Sequence, residues 1–348
     1  MRWRLGLASI FALLITLVVL FPSAAPARAA PKVVFGPPTI VKQVTLHELS
    51  IDGPSLWQPN SRSGPQIGRG LVLAWTGTDN RLNTMERFSG LTFTNKHIYN
   101  ETSSFRPAVT TVPDGGVALA WLGTNPGHSL NVLCTAQCGS TGKPLKLTLW
   151  NETSFTAPAL AYNGGNLWLA WTGTDANHSL NVLPINFQTF KVGTKTILRQ
   201  FSSISRPSLM PDPNTQGTLP QGLVLSWAAS SPLHRIRFAT STDGVHWTQP
   251  SSSPLAEWTA VGPCLLPLGV NNFPRYFLAW RGTDPNHLVN VQYTEGFPNW
   301  PMDNSKTTFN KQALGGPALA DSLASNQIVL AWTGVDTLHH INVALVGI

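Results

Sequence analysis

The sequence predicts an all-β fold built as a ring of six tandem four-stranded sheets, and three observations carry that expectation. Charged residues make up only 11% of the 348-residue chain, whereas Gly (29), Pro (28) and Trp (13) are abundant, which excludes coiled coils, helical bundles and charged disorder. A nine-residue apolar motif recurs six times. Around each copy lie short β-type runs separated by Gly, Asn, Asp and Ser turns, the pattern of antiparallel strands.

The motif reads LVLAWTGTD at Leu71 to Asp79, VALAWLGTN at Val117, LWLAWTGTD at Leu167, LVLSWAASS at Leu223, YFLAWRGTD at Tyr276 and IVLAWTGVD at Ile328. Its tryptophans, Trp75, Trp121, Trp171, Trp227, Trp280 and Trp332, are separated by 46, 50, 56, 53 and 52 residues. Upstream of each stands a proline with small and apolar neighbours: Pro54, Pro107, Pro158, Pro207, Pro263 and Pro317. Downstream come a polar turn, an alternating run such as HSLNVL from His128, and a more variable fourth segment such as KLTLW from Lys146. Units of about fifty residues with four strands stack around an axis as the blades of a six-bladed β-propeller. The last copy stops after its third strand, while an unassigned β-type segment, Ile40 to Leu49, precedes the first proline. That N-terminal segment is expected to supply the outer strand of the last blade and lock the ring, since a linear array would leave open edges.

The first thirty residues read as a secretory leader, with Arg2 and Arg4, an apolar run from Leu5 to Phe21, and cleavage near Ala29-Ala30. Residues 31–348 are then one propeller domain, with 20 basic against 16 acidic side chains, a net +4. The expected protein is secreted and monomeric, with no membrane span after cleavage. A surplus so thinly spread argues against a nucleic-acid partner. Of three cysteines, Cys134 and Cys138 flank a short insertion and are placed to pair outside the cell, and Cys264 reads as a buried free thiol. Sequons at Asn100, Asn151 and Asn177 fall on the repeat itself.

Candidate site residues come from the repeated polar positions. Seven residues beyond the Trp stands His128, His178, His234, His287 or His339. One imidazole per blade is too dispersed to share a metal, so the expectation is a hydrogen bond to a loop, with no metal and no cofactor. The Gly-Thr-Asp after the Trp reads as a turn in which Gly adopts positive φ and Asp79, Asp175, Asp284 and Asp336 form Asx turns. Six residues before the motif proline lies Glu48, Glu101, Glu152 or Glu257, with Ser or Thr two residues on, and Arg106 and Arg206 directly precede their prolines. In propeller connectivity these loops share one face. Glu101, Arg106, His128, Glu152, His178 and Arg206 are therefore the proposed ligand-binding residues at its mouth.

The stretch Ser241-Thr242-Asp243-Gly244-Val245-His246-Trp247 resembles an Asp-box, the BNR turn of sialidase-like propellers, shortened by one residue between Asp and Trp. Ser89 to Phe93 is a weaker likeness in the first blade. In that superfamily the turn is structural and lies away from the active mouth, so the resemblance implies fold rather than chemistry. Sialidase activity would further imply three arginines on a substrate carboxylate, a Tyr and Glu pair, and an Asp acid/base. Arg106-Pro107 resembles part of that family's Arg-Ile-Pro motif, but Tyr99, Tyr162, Tyr276 and Tyr293 sit in no catalytic context. The repeated polar residues suit repeated shallow binding, as in six-bladed fucose-binding propellers, better than one asymmetric catalytic constellation. The expected function is recognition of glycans or other extracellular ligands through loops on one face. A sialidase-like exo-glycosidase and a protein-interaction scaffold are the alternatives.

Overall fold

The computed structural model describes residues 36–57, 70–135, 138, 143–212, 222–250, 255–270, 273–294, 305–322 and 326–348. The expected leader lies outside them. Strand β1 (Thr39–Leu49) comes first. Blade 1 is β2 (Ser55–Trp57), β3 (Leu71–Thr76), β4 (Arg81–Arg87) and β5 (Phe93–Thr102); blade 2 is β6 (Ala108–Thr111), β7 (Val117–Leu122), β8 (Ser129–Cys134) and β9 (Leu145–Thr153). Blade 3 is β10 (Ala159–Asn163), β11 (Asn166–Thr172), β12 (Ser179–Asn186) and β13 (Thr196–Ser202); blade 4 is β14 (Ser208–Asp212), β15 (Gly222–Ala228) and β16 (Ile236–Ser241). Blade 5 is β17 (Cys264–Val270), β18 (Phe273–Arg281), β19 (Leu288–Thr294) and β20 (Thr307–Gln312); blade 6 holds β21 (Ala318–Asp321), β22 (Gln327–Thr333) and β23 (His340–Gly347).

Within every blade consecutive strands pair antiparallel, and β1 completes blade 6 in the order β1-β23-β22-β21. Its register runs from Thr39 opposite Gly347 to Leu49 opposite His340. The inner strands form the ring, each touching the next, and β21 returns to β2. Closure by the N-terminal segment is thus as the sequence predicts. Blade 4 differs: among the described residues its fourth-strand pairing consists of the bridges Arg235–Trp258 and Thr240–Thr248, and the Asp-box-like turn lies between Thr240 and Thr248.

Burial falls from the axis outward. β3 is buried along its whole length, whereas the outer β5 is mostly exposed beyond Phe93. Apolar runs therefore make the second strands, which are covered on both faces, and mixed sequence makes the rim. The six motif tryptophans are at most 2% exposed, packed among aliphatic residues. Across each sheet the Trp pairs with an Asn, as Trp75 with Asn83 and Trp171 with Asn181, except in blade 4, where Trp227 faces Arg237.

The Gly of Gly-Thr-Asp has a different role from the one expected. Gly77, Gly123, Gly173, Gly282 and Gly334 are absent from the positive-φ residues, which instead include Asn80 and all five repeat histidines. What requires glycine is space. A Cβ on Gly173 would lie 2.6 Å from Asp175 Oδ2 and 2.8 Å from Asn181 Nδ2, and its counterparts meet the same pair of side chains. Blade 4 changes all three positions together, to Ala229, Ser231 and Arg237.

Candidate functional site

The turns after the second strands and the loops leading into the blades lie on one face and are tied together. Ile51 N–H donates to Thr76 O at 3.2 Å, Phe155 N–H to Thr172 O at 2.9 Å and Leu314 N–H to Thr333 O at 2.9 Å. The same loop also reaches the preceding blade, since Ser50 N–H donates to His339 O at 3.1 Å. The Ser or Thr two residues past each Glu adds to this: Ser50 donates to Thr76 O at 3.1 Å, Ser154 to Thr172 O at 3.1 Å and Thr259 to Arg281 O at 2.8 Å.

The Glu residues do not cap these turns; they cross the junctions between blades. Glu48 pairs with Lys96 at 2.5 Å, Glu101 with Lys146 at 2.6 Å, Glu152 with Lys195 at 2.6 Å and Glu257 with Lys306 at 2.7 Å. Every pair joins the outer edge of one blade to that of the next. The same ammonium groups stand over the motif indoles of the receiving blades, 5.6 Å from Trp75, 5.5 Å from Trp121, 5.9 Å from Trp171 and 5.3 Å from Trp280. Beside these pairs, Thr102 meets Thr124 at 2.6 Å and Thr153 meets Thr174 at 3.0 Å across the same junctions. The ion pairs remain partly open, with Lys146 41% and Glu101 25% exposed. A partly exposed carboxylate acceptor and ammonium donor, with hydroxyls at the same blade junction, suit a ligand rich in hydroxyl groups. The junction between blades 3 and 4 departs from the pattern: Phe201 takes the Glu position and lies on Trp227 with ring centroids 4.9 Å apart.

The arginines sit elsewhere, at the hub. Arg106 is 2% exposed, and its Nη1 donates to Pro54 O at 3.1 Å and to Gly316 O in the loop leading into blade 6. Arg206 Nε donates to Pro158 O at 3.2 Å, and Arg281 Nη1 to Leu314 O at 2.5 Å. Gly53, Gly262 and Gly316, the residues before three other motif prolines, make room, because a Cβ on Gly316 would lie 2.6 Å from Arg106 Nη2. Burial pushes the Arg206 guanidinium down to about 9, and the neighbouring positive charge of Arg106 adds to the shift. Arg106 is lowered by burial too, against the pull of Asp52, whose carboxylate accepts the Arg106 and Gly53 amides. Cys264 beside them is a free thiol, partly rather than fully buried, and accepts the Leu319 amide at 3.2 Å.

His128 and His178 belong to the turns. Each adopts positive φ, at 44° and 49°, and each places Nδ1 against the carbonyl of its own blade's glycine, 3.3 Å from Gly123 O and 3.2 Å from Gly173 O. Among the described residues no three His, Cys, Asp or Glu gather as a metal-holding group. The Asx turns form as expected: Asp175 accepts the Asn177 amide at 3.1 Å, and Asp284 accepts the Asn286 amide at 3.0 Å. Of the six proposed residues, then, Arg106 and Arg206 converge on the axis, Glu101 and Glu152 mark neighbouring junctions, and the two histidines shape turns. Sequence reasoning missed the lysines, which recur 21 to 26 residues after the motif Trp and so hide in connections of varying length.

Away from this face, Tyr276 donates to Asp212 at 2.7 Å with both residues buried in the core. The Asp-box-like turn forms as the resemblance implies. Asp243 Oδ1 accepts the amides of Val245 and His246 at 2.8 Å each, Trp247 Nε1 donates to Gly244 O at 3.1 Å, and Gly244 has φ +78 against Trp168. Cys134 and Cys138 form a disulfide at the end of β8.

No protein-family model matches the sequence, and no curated protein matches it. Solved structures do match. The chain shares the six-bladed propeller fold of fucose-specific lectins and a sialidase. A protein of unknown function from Dyadobacter fermentans matches with TM-score 0.56 and 14% identity, over 89% of this chain and 99% of that one. The fucose-specific lectin from Aleuria aurantia matches with TM-score 0.57 and 11% identity, over 86% and 97%. The sialidase of Trypanosoma rangeli matches with TM-score 0.55 and 9% identity, over 86% of this chain but 55% of that protein.

Proposed function

We propose that this chain is an exported binding protein that recognises glycans, or other hydroxyl-rich extracellular ligands, at the blade junctions of one face. The observation that carries this is the fourfold recurrence of a half-open Glu–Lys pair over a buried indole. Sugar hydroxyls both donate and accept, so they can bond the carboxylate and the ammonium together. Each such cleft is shallow, but four on one rigid disc raise avidity when a polymer presents its sugars repeatedly. The fucose-specific lectin that shares the fold makes a sugar the natural first probe. Hydrolysis of the sialidase type is disfavoured because Arg106, buried at the hub, is engaged with the carbonyls of Pro54 and Gly316.

A glycan array identifies the sugar, and calorimetry then compares the wild type with Glu101→Gln and Glu152→Gln. Each substitution should remove one site from the stoichiometry and leave the others intact. A blank array, or stoichiometry unchanged by either substitution, would contradict the proposal.

A further inference from the structure

The junction between blades 5 and 6 breaks the repeat by charge. The residue one before the strand position paired with the turn exit is Glu48 in blade 6, Glu101 in blade 1, Glu152 in blade 2 and Glu257 in blade 4, but in blade 5 it is Lys311. Across the cleft, the position held by Lys146, Lys195 and Lys306 is held in blade 6 by Gln43, which pairs with Ala344 just as Lys146 pairs with Leu133. Gln43 is neutral and shorter than lysine, and its Nε2 donates to Asn342 Oδ1 at 3.3 Å. Trp332, 2% exposed, is the repeat counterpart of the indoles that elsewhere lie under an ammonium. Asp336, the turn carboxylate of blade 6, is already engaged with His340 at 2.7 Å and with the Leu338 amide at 3.2 Å.

Four junctions are thus neutralised by their own Glu–Lys pair, and the one between blades 3 and 4 is filled by Phe201. The sixth combines a positive charge, a neutral amide donor and the space left by a shorter side chain. On the glycan-binding reading of this face, we infer that the junction between blades 5 and 6 selects an acidic sugar, with Lys311 and Gln43 holding its carboxylate or sulfate group. A charge-assisted bond of this kind is stronger than a neutral one, and salt screening weakens it because the site is open.

The test restores the repeat. Lys311→Glu combined with Gln43→Lys rebuilds the pair found at four other junctions, so the variant is expected to fold with at least wild-type stability. Calorimetry with an oligogalacturonate and with galactose 6-sulfate, which has no carboxylate, separates the carboxylate from the sulfate source, and the neutral array hit serves as reference. The wild type should bind at least one acidic probe, more weakly as salt rises. The double variant should lose about tenfold in that affinity, while the neutral ligand keeps its affinity at the other junctions. If neutral sugar binds but neither acidic probe does, or if the double variant keeps the acidic affinity, this inference falls alone. If no sugar of either kind binds, the glycan-binding reading falls and takes this inference with it.

Discussion

Gly173→Ala would place a methyl group where the turn has no room for one. Its Cβ would lie 2.6 Å from Asp175 Oδ2, 2.8 Å from Asn181 Nδ2 and 3.1 Å from Ser179 O. Relief means moving Asp175, whose carboxylate accepts the Asn177 amide at 3.1 Å, the Ser179 amide at 3.1 Å and the Ser179 hydroxyl at 3.0 Å. One or two of these bonds lost, at roughly 1 kcal/mol each, add to an overpacking cost of about 1–3 kcal/mol. The turn is partly exposed and can yield, so the expected destabilisation is about 2–3 kcal/mol. Gly165→Ala is the contrasting case. Gly165 has φ +77 but nothing near its would-be Cβ, so only the left-handed conformation is penalised, by about 1–2 kcal/mol. Urea unfolding followed by tryptophan fluorescence compares the two, and Gly173→Ala should lower the midpoint further. Adding Asp175→Ser, which copies blade 4, should recover part of the loss. If Gly165→Ala proves the costlier change, or if Asp175→Ser deepens the defect, crowding is not what fixes glycine in five blades.

Two further outcomes follow from the same geometry. Hydrogen bonds from the His246 side chain, the His246 and Val245 amides and Ser241 outweigh burial and hold the Asp243 carboxyl below its ordinary 3.8. Its stabilisation is therefore complete above that value and lost as pH falls, so the melting-temperature deficit of Asp243→Asn should be largest near about pH 7 and shrink toward about pH 2. A double-mutant cycle on Glu101→Gln and Lys146→Met should give a coupling of about 0.5–1 kcal/mol, discounted for solvent exposure, that falls with added salt. Zero coupling would show that the pair does not link blades 1 and 2 in solution.

The ring was legible because its second strands are buried on both faces and cannot vary freely, which preserves the Trp motif in six copies. Closure is legible from an imbalance at the chain ends: the sequence predicts a strand over Ile40 to Leu49, and the structure has one at Thr39–Leu49. The site was only half visible. Glu101 and Glu152 stand at fixed distances from their prolines, so the repeat reveals them, whereas Lys146 and Lys195 follow connections of unequal length. Arg106 and Arg206 look like loop residues in sequence. Only the structure shows that Gly53, Gly262 and Gly316 clear the hub for them. The glycines before Asp175 and its equivalents invite a conformational explanation, and only the positions of neighbouring side chains show that volume decides there.

A crystal soaked with the strongest sugar from the array would put the whole functional account at risk in a single map. Density is expected at the outer blade edges, with hydroxyls within hydrogen-bond distance of Glu101 and Lys146 or of their repeats. Density confined to the axial channel or to the opposite face would contradict it.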